Sequence, residues 1–87
     1  MSQSAQAPTQ KELIVQKLQA IAPDVTKRDR LSFALHQSVS ERTIERYLRG
    51  KVSDLDLATE MVVYFSEHIR ERATRALLKV NGGEVAA

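Results

Sequence analysis

Apolar residues recur at spacings of three and four along most of the chain, the period of amphipathic α-helices. The first segment opens on a capping-box sequence, Thr9-Gln-Lys-Glu12, and ends at Ala22-Pro23, where proline disfavours further helix. A second helix is predicted after Thr26, a suitable N-cap, with Asp29 beside the positive end of the helix dipole. The stripe of the first helix consists of Leu13, Ile14, Leu18 and Ile21.

Residues 30–50, RLSFALHQSVSERTIERYLRG, predict two short helices on either side of a sharp turn. Gln37-Ser38 is small and polar, as a turn requires, and Ser40 is a good N-cap for the helix that follows. This layout is a helix-turn-helix. The apolar side of its second helix consists of Ile44, Tyr47 and Leu48.

The last helix should begin after Ser53 or Asp54 and run about 25 residues, near 40 Å, before Asn81-Gly82-Gly83 stops it. It carries two apolar lines, and a small three-helix core is expected to cover only one of them over its first half. The other line then needs a second copy of the chain or helix one as its partner. The first line comprises Leu55, Ala58, Val62, Phe65, Ile69, Ala73 and Ala76, and the second Leu57, Met61, Tyr64 and His68.

Three arginines lie on the side of the helix-turn-helix's second helix that is opposite its apolar residues. Arg42, Arg46 and Arg49 follow one another at i, i+4 and i+7, so their guanidiniums share one face. Such a face suits a DNA major groove, where arginine bonds guanine or grips a phosphate. The alternative is a solvated face on which Glu41 and Glu45 pair with these arginines.

Charge is segregated along the chain, although the net charge is only +2. Residues 27–51 hold seven basic and three acidic residues, a local charge of +4. Residues 52–69 hold four acidic and no basic residues, and residues 70–79 return to +3. This polarity would orient the helix-turn-helix towards a polyanion.

Further contacts to DNA are predicted around the arginine face. Ser40 and Glu41 stand at the start of the helix, where a carboxylate can accept from cytosine. The basic cluster at the start of helix two, which includes Arg30, either reaches the phosphates or is a solvated first turn. The candidates for phosphate contact are Lys27, Arg28, Thr43 and Lys51.

The segment VSERTIERYLRG, residues 39–50, resembles the second half of the helix-turn-helix in the lambda-repressor/Cro-like (XRE-type) DNA-binding family. Ala34 matches the family's small residue in the first helix, Val39 and Ile44 its buried positions, and Gly50 its stop. The likeness covers about residues 27–65 and implies a four-helix DNA-binding domain. Ser38 departs from the glycine that is usual in the turn, so either serine tolerates a positive φ there or the turn is shaped differently.

Other function classes find little support in the sequence. The chain contains no cysteine, which fits a reducing cytoplasm, and its first residues lack the pattern of a signal peptide. His36 and His68 lie far apart without metal-ligand spacing, no pair of carboxylates suggests acid–base catalysis, and no glycine-rich phosphate loop occurs. We therefore expect no enzyme activity, no cofactor or metal, no small-molecule ligand and no membrane span.

Together these patterns predict an all-α, four-helix domain with a central helix-turn-helix and a long C-terminal helix. The domain is expected over residues 9–80, between disordered tails at 1–8 and 81–87. Its predicted function is sequence-specific binding of double-stranded DNA as a small transcriptional regulator, with homodimerisation through Phe65, Ile69 and Leu77. The alternative function is a helical protein-interaction module that docks through the long helix without binding DNA.

Overall fold

The computed structural model describes residues 8–86, with side chains for residues 8–79, and this part of the chain is all-α, as predicted. The predicted tail at residues 1–8 lies outside it except for Pro8. A 3-10 turn, Ala22–Asp24, occupies part of the predicted linker. The four helices are α1 (Gln10–Ile21), α2 (Lys27–Gln37), α3 (Glu41–Leu48) and α4 (Leu55–Ala86).

The helices begin where the sequence predicts, because polar side chains satisfy their first amide groups. Thr9 and Thr26 each head a complete capping box, closed by Glu12 and Asp29 respectively. The Ser40 hydroxyl accepts from the Thr43 amide at 3.1 Å. Of the two candidates for capping α4, Asp54 does so: its carboxylate accepts from the amides of residues 56 and 57.

The turn between α2 and α3 depends on a left-handed residue. Ser38 adopts φ 56° and ψ 42°, and its amide donates to the carbonyl of Ala34. The Val39 amide donates to the same carbonyl at 3.1 Å. Serine therefore occupies the conformation that glycine usually supplies, which answers the question that the sequence left open.

One core joins all four helices and the loop before α4. Helix α4 packs against both α1 and α2, while α3 packs against α1 and α2. The α1 residue Leu18 is fully buried, Ile14 is half-buried, and Leu13 remains on the surface. The core residues are Leu18, Val25, Phe33, Ile44, Tyr47, Leu48, Val52, Ala58, Met61 and Phe65.

Both apolar lines of α4 are covered over its first half, and of the two partners that the sequence left open, a second copy or helix one, it is α1 that packs there. Phe65 of the first line and Met61 of the second are fully buried. The reason is that α1 and α2 lie on α4 from two sides. Phe65 is therefore unavailable to a partner, and Ile69 already packs against the core. Of the predicted dimer contacts, only Leu77 is free in the monomer, with 62% of its surface exposed.

Helix α4 is also longer than predicted, with 32 residues. The stop expected at Asn81-Gly82-Gly83 does not end it, and the backbone stays helical to Ala86, which replaces the tail predicted from residue 81. A glycine inside a helix costs about 1 kcal/mol relative to alanine, and this penalty alone does not break the helical hydrogen bonds. From Ala73 to Lys79 every side chain is exposed, so this half of α4 projects from the core.

An ion pair between buried Asp29 and half-buried Arg72 fastens α2 to α4. The Arg72 Nη1 atom lies 2.9 Å from both carboxylate oxygens of Asp29, and Nη2 donates to the Asp24 carbonyl at 2.7 Å. Burial raises the pKa of the Asp29 carboxyl, but the Thr26 amide and the Arg72 guanidinium outweigh it and hold that pKa below its ordinary value. Asp29 thus caps α2 and also anchors α4.

Candidate nucleic-acid interface

Helix α3 is fixed to the core by its apolar side. Ile44 is fully buried, and Tyr47 and Leu48 are nearly so, as predicted. The Tyr47 hydroxyl bonds the Ser53 hydroxyl at 3.0 Å and accepts from the Asp54 amide at 2.8 Å. These bonds tie α3 to the loop that leads into α4, so the opposite face of α3 has a defined orientation.

Helix α1 holds the C-terminal end of α3. The Gln19 side chain donates to the carbonyl of Arg49 at 3.2 Å. Gly50 follows with φ 98°, and a Cβ at this position would lie 2.9 Å from Nε2 of Gln19 and 3.3 Å from Val15. The positive φ favours glycine here, and a Cβ would also require the end of the Gln19 side chain to shift.

Arg42 and Arg46 on the outer face of α3, and Arg49 at its C-cap, are all exposed. Among the side chains of residues 8–79, no carboxylate lies within 4.0 Å of Arg42, Arg46 or Arg49. With Glu45 and Lys51, they border one shallow cleft. The outer face of α3 therefore presents guanidiniums that are free to bond a ligand.

The acidic residues of α3 pair with α2 instead of with the arginine face. Nε of Arg30 lies 3.3 Å from the Glu41 carboxylate and 4.0 Å from that of Glu45. The alternative of a salt-bridged arginine face is thus not realised among the described side chains. Through these contacts Arg30 links α2 to α3. One carboxylate oxygen of Glu41, which was predicted to contact a base, is therefore already bonded.

Two hydroxyl groups at the start of α3 bond each other. The Ser40 hydroxyl, besides capping the helix, lies 2.9 Å from the Thr43 hydroxyl. Ser40 is exposed and Thr43 is half-buried beside Arg46 and Lys51 at the rim of a second cleft. Thr43 therefore lies next to two cations, as a phosphate contact would require.

Lys11 joins this surface from α1, although it is not among the contacts predicted from the sequence. It borders the same cleft as Thr43, Arg46, Gly50 and Lys51. Its spacing held a usable signal, since Lys11 precedes the buried Leu18 by seven residues and so lies on the inward side of α1. Arg46 and Lys51 border both clefts, and Arg46, which lies between Arg42 and Arg49 in the arginine row, is the central guanidinium of the group.

The predicted phosphate contacts of α2 do not all join this surface. Arg28 borders a different cleft, between α2 and α4, together with Arg72, Arg75 and His68. Lys27 is exposed in the first turn of α2. The residues that the structure brings together are Lys11, Arg42, Thr43, Arg46, Arg49 and Lys51, and we call them the α3 basic surface.

The two histidines take structural positions beside Tyr64. His36 is exposed, and its ring stacks on that of Tyr64 with centroids 6.0 Å apart. His68 stacks on the same ring at 4.3 Å, and its Nδ1 lies 2.9 Å from the Tyr64 carbonyl. Within the described residues, no group of three metal-ligating side chains occurs, and none of the helices has the length and apolarity to cross a membrane.

Comparison of the chain with protein-family models, with curated proteins and with solved structures gives no match.

Proposed function

We propose that this protein binds double-stranded DNA sequence-specifically by placing α3 in the major groove, and that it acts in the cytoplasm as a small transcriptional regulator of lambda-repressor-like type. The observation that carries the proposal is the α3 basic surface: Arg42, Arg46 and Arg49 are exposed and free of carboxylates within the described side chains, on a helix whose other side is buried. Uncompensated cations on a rigid helix are the usual means of reading a polyanion.

The dimensions and chemistry of α3 suit the groove. Its eight residues span about 12 Å, and the major groove admits one α-helix. Each guanidinium can donate two parallel hydrogen bonds to O6 and N7 of guanine. Arg46, at the centre of the surface, is assigned to a base, with Arg42 and Arg49 on either side of it.

The rim of the surface is assigned to the phosphates. Lys11, Thr43 and Lys51 share one cleft on the side of α3 that faces α1. Lysine and hydroxyl contacts to phosphate fix the register of a protein on the duplex without reading its sequence. Ser40 and the second oxygen of Glu41 stand at the helix start, where Glu41 would accept from cytosine if its bond to Arg30 is kept on the other oxygen.

A second function, docking of another protein through α4 without DNA binding, is favoured by one observation. The projecting half of α4 exposes two neighbouring leucines, Leu77 and Leu78, each more than half accessible. Docking through α4 would not use the free guanidiniums of the α3 basic surface.

A titration of labelled random duplex DNA at two salt concentrations tests the proposal. Binding through several phosphates releases counterions, so the affinity should fall steeply between 50 mM and 200 mM salt, by about 10³-fold if six phosphates are engaged. Selection from the random pool should then enrich one sequence. Absence of binding at the lower salt concentration would refute the proposal and favour the interaction module.

A further inference from the structure

Helix α4 carries opposite charges on its two halves. The exposed charged residues between 55 and 69 are Asp56, Glu60 and Glu67, and this half has no lysine or arginine. Between residues 70 and 79, where the described side chains end, the exposed cations are Arg70, Arg75 and Lys79, and the one acidic residue is Glu71; Arg72 is paired with Asp29. The helix is therefore acidic beside the core and basic where it projects.

The acidic half borders an apolar groove. Helices α2 and α4 form it between them, with Phe33, Val63 and Tyr64 as its apolar side chains and Glu60 and Glu67 along α4. Val63 is 53% exposed there, and Glu60 is held by a 3.0 Å bond from the Gln37 side chain. The groove thus combines apolar surface with fixed negative charge.

The projecting half of α4 has the complementary character. Leu77 and Leu78 are 62% and 63% exposed, and Arg75 and Lys79 lie on the same two turns. These leucines cannot reach the groove of their own molecule, because both surfaces belong to one uninterrupted helix. Val63 and Leu77 are separated by fourteen residues, about 21 Å along the helix axis.

We propose that a second copy of this chain supplies the missing partner, and that two α4 helices pair antiparallel so that the projecting half of each fills the α2–α4 groove of the other. Antiparallel pairing sets the basic half of one helix against the acidic half of its mate, whereas parallel pairing sets like charges together. The contact is two-fold and closed, since each molecule offers one groove and one projecting half. It buries the exposed leucines and Val63, and it leaves the α3 basic surface out of the contact.

Sedimentation equilibrium of the full chain and of two charge-reversed variants tests the pairing. The first variant is Glu60→Lys with Glu67→Lys, and the second is Arg75→Glu with Lys79→Glu. The parent should approach twice 9.8 kDa as its concentration rises. Each variant alone should associate at least about tenfold more weakly, because its groove and projecting half then carry the same charge.

Sedimentation equilibrium of a mixture of the two variants is the decisive measurement. In the mixed pair both contacts regain opposite charges, so the dimer should reappear at the parent's affinity. A monomeric parent at every concentration, variants that dimerise as the parent does, or a mixture that stays monomeric would each overturn the proposal. Circular dichroism of each variant establishes that the helices are intact. The experiment measures the molecular mass of the protein in the absence of DNA, so its outcome does not depend on the proposed DNA binding.

Discussion

At the scale of single residues, Ser38 and Gly50 show that two neighbouring turns accommodate a positive φ with different residue types. Both have positive φ, 56° and 98° respectively. At Gly50 a Cβ would also crowd the Gln19 and Val15 side chains of α1, whereas Ser38 is exposed and meets only the intrinsic cost of the left-handed region. The sequence indicated a stop at Gly50, but the contact with Gln19 and Val15 of α1 depends on the tertiary fold.

Replacement of Ser38 by glycine should stabilise the domain. The left-handed conformation costs a non-glycine residue about 1–2 kcal/mol, and the greater freedom of glycine in the unfolded chain offsets part of that gain. We expect Ser38→Gly to raise the free energy of unfolding by about 0.5–1 kcal/mol, measured by urea denaturation. Ser38→Ala, which keeps a Cβ, is the control and should give no gain. A lower stability for the glycine variant would contradict this account of the turn.

Arg46 is the residue on which DNA recognition should depend most. It is the middle arginine of the exposed row, it borders both clefts of the α3 basic surface together with Lys51, and it has no carboxylate partner within the described side chains. Arg46→Ala should weaken binding to the selected site by about 1–3 kcal/mol and leave the unfolding transition unchanged.

Lys17→Ala is the matched control for Arg46→Ala, because it removes the same charge from an exposed position of α1. Lys17 lies six residues beyond Lys11, and this spacing turns it away from α3. Fluorescence anisotropy compares the two variants on the selected site. Equal affinities would mean that α3 does not enter the groove.

At the scale of helices, what the sequence predicted well was local. The capping box at Thr9, the N-cap at Thr26 and the buried side of α3 follow from neighbours three or four residues apart, and all are confirmed. The partners of Arg30 and Arg72 could not be predicted, because they depend on how α2 is placed against α3 and α4. The sequence also does not show that α1 and α2 pack on α4 from two sides, so one core was not expected to cover both apolar lines of this helix.

The Asp29–Arg72 pair makes the docking of α4 on α2 sensitive to acid. The folded-state pKa of Asp29 lies below its ordinary value of 3.8, so its contribution to stability is fully present above that pH. It is lost as the pH falls through the lower, folded-state pKa. Arg72→Ala should cost about 2 kcal/mol of unfolding free energy at pH 7, since it removes hydrogen bonds to a charged group.

Urea denaturation at pH 7 and at pH 3 measures both effects of this substitution. Arg72→Ala should narrow the difference in stability between the two pH values, because Asp29 loses one of the groups that depress its pKa. Arg70→Ala is the control, as Arg70 is exposed two residues away and should behave like the parent at both pH values. An unchanged pH dependence for Arg72→Ala would mean that the Asp29–Arg72 ion pair does not contribute to the acid sensitivity of the fold.

At the scale of the whole molecule, the segregation of charge along the sequence becomes a segregation in space, but not in the blocks that the sequence suggests. The basic block of residues 27–51 divides: Arg30 is paired with acidic residues, and Arg28 borders a cleft with the basic half of α4. Lys11, from outside that block, joins α3 because α1 packs across the end of this helix. A count of charges along the chain could not predict that Arg28 and Arg30 lie apart from the α3 basic surface or that Lys11 joins it.

Lys11 therefore offers a test of the assembled surface, beyond any single helix. If it contacts a phosphate, Lys11→Ala should weaken binding to all duplexes about equally and lower the slope of log affinity against log salt by about 1. Arg46→Ala should instead lower the preference for the selected site, because a base contact carries sequence information and a phosphate contact does not. Lys17→Ala, again the control on the far side of α1, should leave the slope unchanged. Equal slopes for Lys11→Ala and Lys17→Ala would mean that DNA bound at α3 does not extend to α1, and the phosphate contacts would then belong to Thr43 and Lys51 alone.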